Sequence, residues 1–67
     1  MDRMLVAFET PVGVEAETYE ELWDGWVGRL HSLGLRLVAD LDPVDTYSVS
    51  LGADMACTVE LYEVAAL

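Results

Sequence analysis

The sequence has no lysine and only three arginines, against thirteen aspartates and glutamates, so its formal net charge is −10. Proteins that hold a nucleic-acid backbone use clustered Lys and Arg, and anionic membranes attract the same side chains. We therefore expect neither direct nucleic-acid binding nor membrane binding. The natural partners of such a surface are basic proteins, cations, or further copies of the chain through apolar faces, and the surface also fits an acidic DNA mimic that inhibits a DNA-binding protein.

A single cysteine, Cys57, excludes an internal disulfide. Residues 1–10 lack the basic start and long apolar stretch of a signal peptide, and no apolar run reaches the roughly 18 residues of a membrane span. We expect a cytoplasmic or virion-associated protein that is not secreted by a signal peptide.

Isoleucine, asparagine and glutamine are missing together with lysine. The codons of three of these four residues are rich in A and T, so a GC-rich genome explains their absence, as in an actinobacterium or one of its phages. Loss of Lys with gain of Asp and Glu also fits a halophile.

Hydrophobic residues make up 54% of the 67 positions. A chain of this length forms one domain and buries only about 60% of the surface that its unfolded form exposes. We predict a single small domain over residues 1–67. Because the interior of so small a domain cannot hold all of these hydrophobic side chains, we expect other chains to cover part of its apolar surface.

An amphipathic helix is predicted over Tyr19–Leu33. Thr18 and Glu21 have the spacing of a capping box, and Gly34 stands where a helix ends in a left-handed residue. At about 100° per residue, the apolar positions form one stripe. They are Tyr19, Leu22, Trp23, Trp26, Val27, Leu30 and Leu33.

Alternating apolar residues predict strands before and after this helix. The first spans residues 4–10, with Met4, Val6 and Phe8 on one face. The second spans 35–42 and either continues or splits at Pro43 into a further strand, and the last spans 54–64. A hairpin turn at residues 52–53 would pair Thr46 with Val59. The fold class is α+β, with one helix packed on a small, mainly antiparallel β-α-β-β sheet.

Two surfaces are candidate interfaces. On the outer side of the helix, the small residues Gly25, Gly28 and Ser32 either receive another subunit or form a solvated face. The sheet has no second helix to cover its other side. The residues predicted to lie on that side as interface positions are Leu5, Ala7, Tyr62 and Val64.

Few residues suggest chemistry. Cys57 is interpreted as a buried structural thiol beside Met55 and Val59, and His31 as a surface residue. Asp40, Asp42 and Asp45 surround a proline turn without the pattern of a calcium loop. We assign no catalytic, cofactor or metal site, and we predict that the protein is not an enzyme.

Trp23 and Trp26 lie three positions apart and point the same way from the helix. Core packing against the sheet is one interpretation. The alternative is an aromatic wall for a ring-shaped ligand, or an anchor at an interface, where Trp is enriched.

The β-α-β-β order at this length, together with the helix start Thr18–Glu21, resembles dodecin, a small flavin-binding protein that forms hollow twelve-subunit shells. The resemblance covers most of the chain in topology and implies a ligand-binding oligomer. Dodecins stack the flavin on a Trp of the second strand. Here Leu35–Val38 occupies that stretch, so no flavin-binding residue is carried over.

The leading hypothesis is therefore a non-enzymatic structural or interaction subunit of a homo-oligomer or larger assembly, such as a phage particle from a GC-rich host. The alternatives are a dodecin-like flavin-binding oligomer and a DNA mimic. Flavin absorption supports the first alternative, and co-purification with a DNA-binding enzyme supports the second.

Overall fold

One helix packs on a four-stranded antiparallel sheet in the residues that the computed structural model describes, which are 3–38, 42–50, 52 and 55–67. This confirms the predicted α+β class. The elements in chain order are β1 (Met4–Pro11), α1 (Ala16–Ser32), β2 (Leu35–Leu37), β3 (Asp45–Ser50) and β4 (Ala56–Ala66).

The long strand β4 lies at the centre of the sheet. Its first edge pairs with β1, from Met4 opposite Val64 to Pro11 opposite Cys57. Its second edge pairs with β2 near its C-terminal end and with β3 near its beginning. The second predicted strand is therefore split into two strands, β2 and β3, which was one of the two predicted alternatives. Residues 39–41, which were expected to continue it, lie outside the described residues.

The register of the β3–β4 hairpin differs from the prediction by one residue. Thr46 lies opposite Glu60, whereas the symmetric turn at residues 52–53 predicted Val59. Ser50 pairs with Ala56, so five residues, 51–55, connect the last paired positions. The paired positions lie one residue further apart in the chain than the prediction had them, and a shift of one residue changes which side chains lie opposite each other. The predicted turn includes residue 53, which lies outside the described residues.

The helix begins three residues earlier than predicted. Glu15 has extended backbone angles (φ −70°, ψ 153°) and is the N-cap, and its carbonyl accepts a 2.8 Å hydrogen bond from the Tyr19 backbone N–H. Thr18 lies inside the helix, so its assignment as N-cap was wrong. Ala16 has the highest helix propensity, and the Glu17 carboxylate favours the positive end of the helix dipole. The helix ends at Ser32, one residue before the predicted Leu33, which is its C-cap, and the left-handed conformation predicted for Gly34 is confirmed at φ 76°.

The core lies between α1 and one face of the sheet. Its buried residues come from β1, α1 and β4, and Val6, Tyr19, Trp23, Val27, Leu35 and Leu37 pack around them. The predicted face of β1 is confirmed, since Val6 and Phe8 point toward the helix. The five buried members are Phe8, Trp26, Leu30, Tyr62 and Val64.

The predicted face of β4 was wrong. Tyr62 and Val64, which were expected on the uncovered side of the sheet, are 3% and 0% exposed and pack against the helix. Both faces of β4 carry apolar residues, so alternation alone does not show which face packs against the helix. The Tyr62 ring decides it, because it packs against Trp23 and Trp26 at centroid distances of 5.0 and 5.4 Å.

Candidate functional site

The side of the sheet that faces away from α1 is largely apolar. Side chains alternate along a strand and share a face with their cross-strand partners, so this side follows from the core positions and the register. Leu5 and Tyr47 are 54% and 45% exposed on it, and Val59 is buried at its centre between the strands. We call this surface the open face: Leu5, Ala7, Tyr47, Val49, Cys57, Val59 and Leu61.

Charged residues lie around the open face and not at its centre. Glu9 and Asp45 belong to the two outer strands, on either side of β4. Glu63 accepts a 3.0 Å hydrogen bond from the Arg3 guanidinium, so its charge is partly compensated. An apolar centre with charges at the rim is the usual composition of a protein interface.

The outer side of the helix is exposed at the three small residues singled out from the sequence. Gly25, Gly28 and Ser32 are all exposed, and the Ser32 hydroxyl donates a 3.0 Å hydrogen bond to the Gly28 carbonyl. A Cβ added at Gly28 would meet nothing within 4 Å. Docking of a subunit here stays a prediction, since the described residues leave this surface open.

A cavity of about 200 Å³ lies on the other side of the sheet, between α1 and β4. Tyr19, Glu20 and Trp23 line it from the helix, and Tyr62 lines it from the strand. Phe8 packs behind it, with its ring centroid 5.4 Å from that of Tyr19 and 5.3 Å from that of Trp23. We call this cavity the aromatic cleft.

A half-buried carboxylate connects the two tyrosines of the aromatic cleft. Glu60 accepts hydrogen bonds from the hydroxyl of Tyr19 at 2.6 Å and from that of Tyr62 at 3.3 Å. Burial, followed by the hydrogen bond to Glu60 and its charge, raises the pKa of Tyr19 far above its ordinary value. Burial and Glu60 also raise the pKa of Tyr62, and the charge of Asp42 acts in the same direction. Both phenols therefore stay protonated donors.

These shifts predict how stability depends on alkaline pH. Unfolded tyrosine has a pKa of about 10. Above that pH, the unfolded chain releases protons that folded Tyr19 and Tyr62 retain, so the free energy of unfolding should be flat below it and fall as the pH rises further. Urea denaturation at a series of alkaline pH values measures the slope.

Tyr19→Phe should make this slope shallower, because it removes one of the retained protons. Tyr47→Phe is the matched control, since it removes a phenol on the opposite side of the sheet. A Tyr19→Phe variant with the full wild-type slope would contradict the assignment to the Tyr19–Glu60 hydrogen bond.

The two tryptophans have different surroundings. Trp26 is a buried core residue, and its indole N–H donates a 3.1 Å hydrogen bond to the Ala7 carbonyl. This confirms the core-packing interpretation for Trp26. Trp23 is half-buried and lines the aromatic cleft, so the alternative of an aromatic wall stays open for that residue alone.

The remaining candidates for chemistry lie apart. Cys57 is half-buried on the open face and does not belong to the core, so its interpretation as a buried thiol was wrong. His31 is exposed, as predicted. Asp40 lies outside the described residues, and within the described part of the chain no group of three His, Cys, Asp or Glu side chains could hold a metal ion. In that same part, no helix is long and apolar enough to cross a membrane.

Sequence reasoning missed Glu60 as a site residue. The alternation had placed Glu60 on the side of β4 that faces away from the helix, where no partner was predicted. In the structure that side of β4 faces the helix, and Glu60 lies beside Tyr19.

Comparisons with protein-family models, curated proteins and solved structures find no significant match to this chain.

Proposed function

We propose that the protein is a non-enzymatic subunit that joins copies of itself through the open face. The observation that supports this is a sheet surface with large apolar side chains, 54% exposed at Leu5 and 45% exposed at Tyr47, which no described residue covers. Monomeric proteins seldom leave large contiguous patches of this kind in water.

The apolar centre of the open face, and not charge, favours a second copy over an unrelated basic partner. Two chains that each carry a net charge of −10 repel each other, so self-association depends on the burial of this apolar centre and should strengthen as salt screens the repulsion. An apolar sheet face packs well against another such face, at a separation of about 10 Å. A twofold axis brings the same patch from both copies together.

The composition extends this proposal to a structural component of a phage particle from a GC-rich, actinobacterial host. The absence of Ile, Asn, Gln and Lys supports that origin. Capsid or tail genes next to the coding sequence would agree with it.

The native mass tests self-association. Light scattering or native mass spectrometry of the wild-type protein should give a multiple of 7.4 kDa. Leu5→Asp and Tyr47→Asp should each lower this mass toward that of the monomer, because each places a desolvated charge in the interface. Circular dichroism should show that both variants remain folded.

Gly28→Asp is the matched control, since it adds the same charge on the outer side of the helix. Asp has a slightly better helix propensity than Gly, so the variant should fold and keep the wild-type mass. A monomeric wild-type protein at all concentrations would reject the proposal. Dissociation by Gly28→Asp but not by Tyr47→Asp would move the interface to the helix.

A further inference from the structure

The aromatic cleft combines features that recognise an organic cation. The half-buried Tyr19 and Trp23 present electron-rich rings to a cavity of about 200 Å³, and Tyr62, which is 3% exposed, lines it from β4. Rings of these residue types attract Lys, Arg and ligand cations, and the recognition of quaternary ammonium ligands is the usual functional role of this attraction. Trp is the best of the three, and Trp23 is the cleft's largest lining residue.

Three acidic groups among the described residues act on this cleft. Glu20 lines it, Glu60 accepts hydrogen bonds from both tyrosines, and Asp42 acts electrostatically on Tyr62. All side-chain cations of the sequence belong to described residues, and the ion pair found among these residues joins Arg3 to Glu63. The half-buried Glu60 therefore lacks a cationic side chain as partner.

The hydrogen bonds to Glu60 strengthen the attraction of the rings for a cation. A phenol that donates to a carboxylate is polarised, which increases the electron density of its ring. The carboxylate also fixes the two hydroxyl groups, so the rings of Tyr19 and Tyr62 need little reordering when a ligand binds.

The aromatic cleft is small and open to solvent. Pockets for drug-sized ligands occupy roughly 300–1,000 Å³, whereas about 200 Å³ accommodates a compact head group. Ca²⁺ needs six to eight oxygen ligands and Mg²⁺ an octahedral set, and the cleft is lined mainly by aromatic carbon. We propose that the aromatic cleft binds a small organic cation with an alkylated ammonium head group.

Choline is the probe for this proposal. Its comparison ligand is the neutral carbon isostere, in which a tert-butyl group replaces trimethylammonium. Titration by calorimetry and by tryptophan fluorescence should show that choline binds about tenfold more tightly than the isostere, because cation–π attraction and the carboxylates act on the charge. Equal affinity for the two ligands, or binding of neither, would overturn the proposal.

Two variants with the same change in net charge locate the site. Glu20→Gln removes a carboxylate that lines the cleft, and Glu21→Gln removes its exposed neighbour outside the cleft lining. Choline affinity should fall about fivefold in Glu20→Gln and by less than about twofold in Glu21→Gln. Equal effects would mean that choline responds to overall charge and not to this cleft.

Trp23→Leu keeps an apolar side chain and should weaken choline binding about tenfold. The Glu20 and Glu21 variants alter exposed side chains and should fold. They therefore test whether choline binds in the aromatic cleft even if Trp23→Leu fails to fold. The cleft lies on the helix side of the sheet, opposite the open face, so choline binding and native mass are measured independently and either proposal can fail alone.

Discussion

Trp26→Ala should unfold the protein at room temperature or bring it close to unfolding. Trp26 is 7% exposed and contacts Phe8 and Tyr62 at ring-centroid distances of 5.2 and 5.4 Å. Replacing a buried Trp by Ala costs about 3–5 kcal/mol, and the total stability of a domain is only about 5–15 kcal/mol, with small domains at the low end. Urea denaturation followed by circular dichroism measures the loss.

Leu22→Ala is the control for this substitution. Leu22 lies one turn earlier on the same helix and is 39% exposed, so its truncation should cost about 1 kcal/mol or less. If the two variants lose similar amounts of stability, Trp26 is not the centre of the core and the packing of α1 on the sheet is different.

Val64→Asp should give no folded protein. Val64 is 0% exposed and lies in the core cluster with Leu30 and Tyr62. A carboxylate there has no partner, and burying it costs several kcal/mol even after relaxation. Loss of the cooperative thermal transition and of the folded NMR spectrum would report the effect.

Leu5→Asp adds the same carboxylate on the opposite side of the sheet, at a position close to Val64. Its cross-strand partner is the residue that precedes Val64 in β4. Leu5 pairs with Glu63 and is 54% exposed, so this variant should keep a cooperative unfolding transition. A folded Val64→Asp protein would mean that Val64 faces away from the helix, as alternation first suggested. It would contradict the core described above.

Local patterns were sufficient for several parts of the fold. The apolar stripe identified the helix and its two buried members, Trp26 and Leu30. In β1, one face ends in a glutamate at Glu9, so alternation gave the correct phase for Phe8. Pro43 lies between the end of β2 at Leu37 and the start of β3 at Asp45, and proline lacks the N–H that a continuous ladder requires.

The start of the helix was less well determined. Thr18 and Glu21 satisfy the capping-box pattern, but Ala16 and Glu17 extend the helix by three residues, and no capping hydrogen bond from a side chain forms. The capping-box pattern is one of several ways to satisfy the first backbone N–H groups of a helix. Here the Tyr19 backbone N–H donates to the Glu15 carbonyl, so the helix begins after Glu15.

The amino-acid sequence by itself determined the element types, the acidic charge and the excess of apolar surface, because these depend on composition and on spacing within one segment. Only the tertiary structure decided the phase of β4, and with it the aromatic cleft. Both faces of that strand are apolar, so the choice rested on whether the Tyr62 ring packs against both Trp23 and Trp26. That fit joins residues nearly forty positions apart, and no local pattern records it.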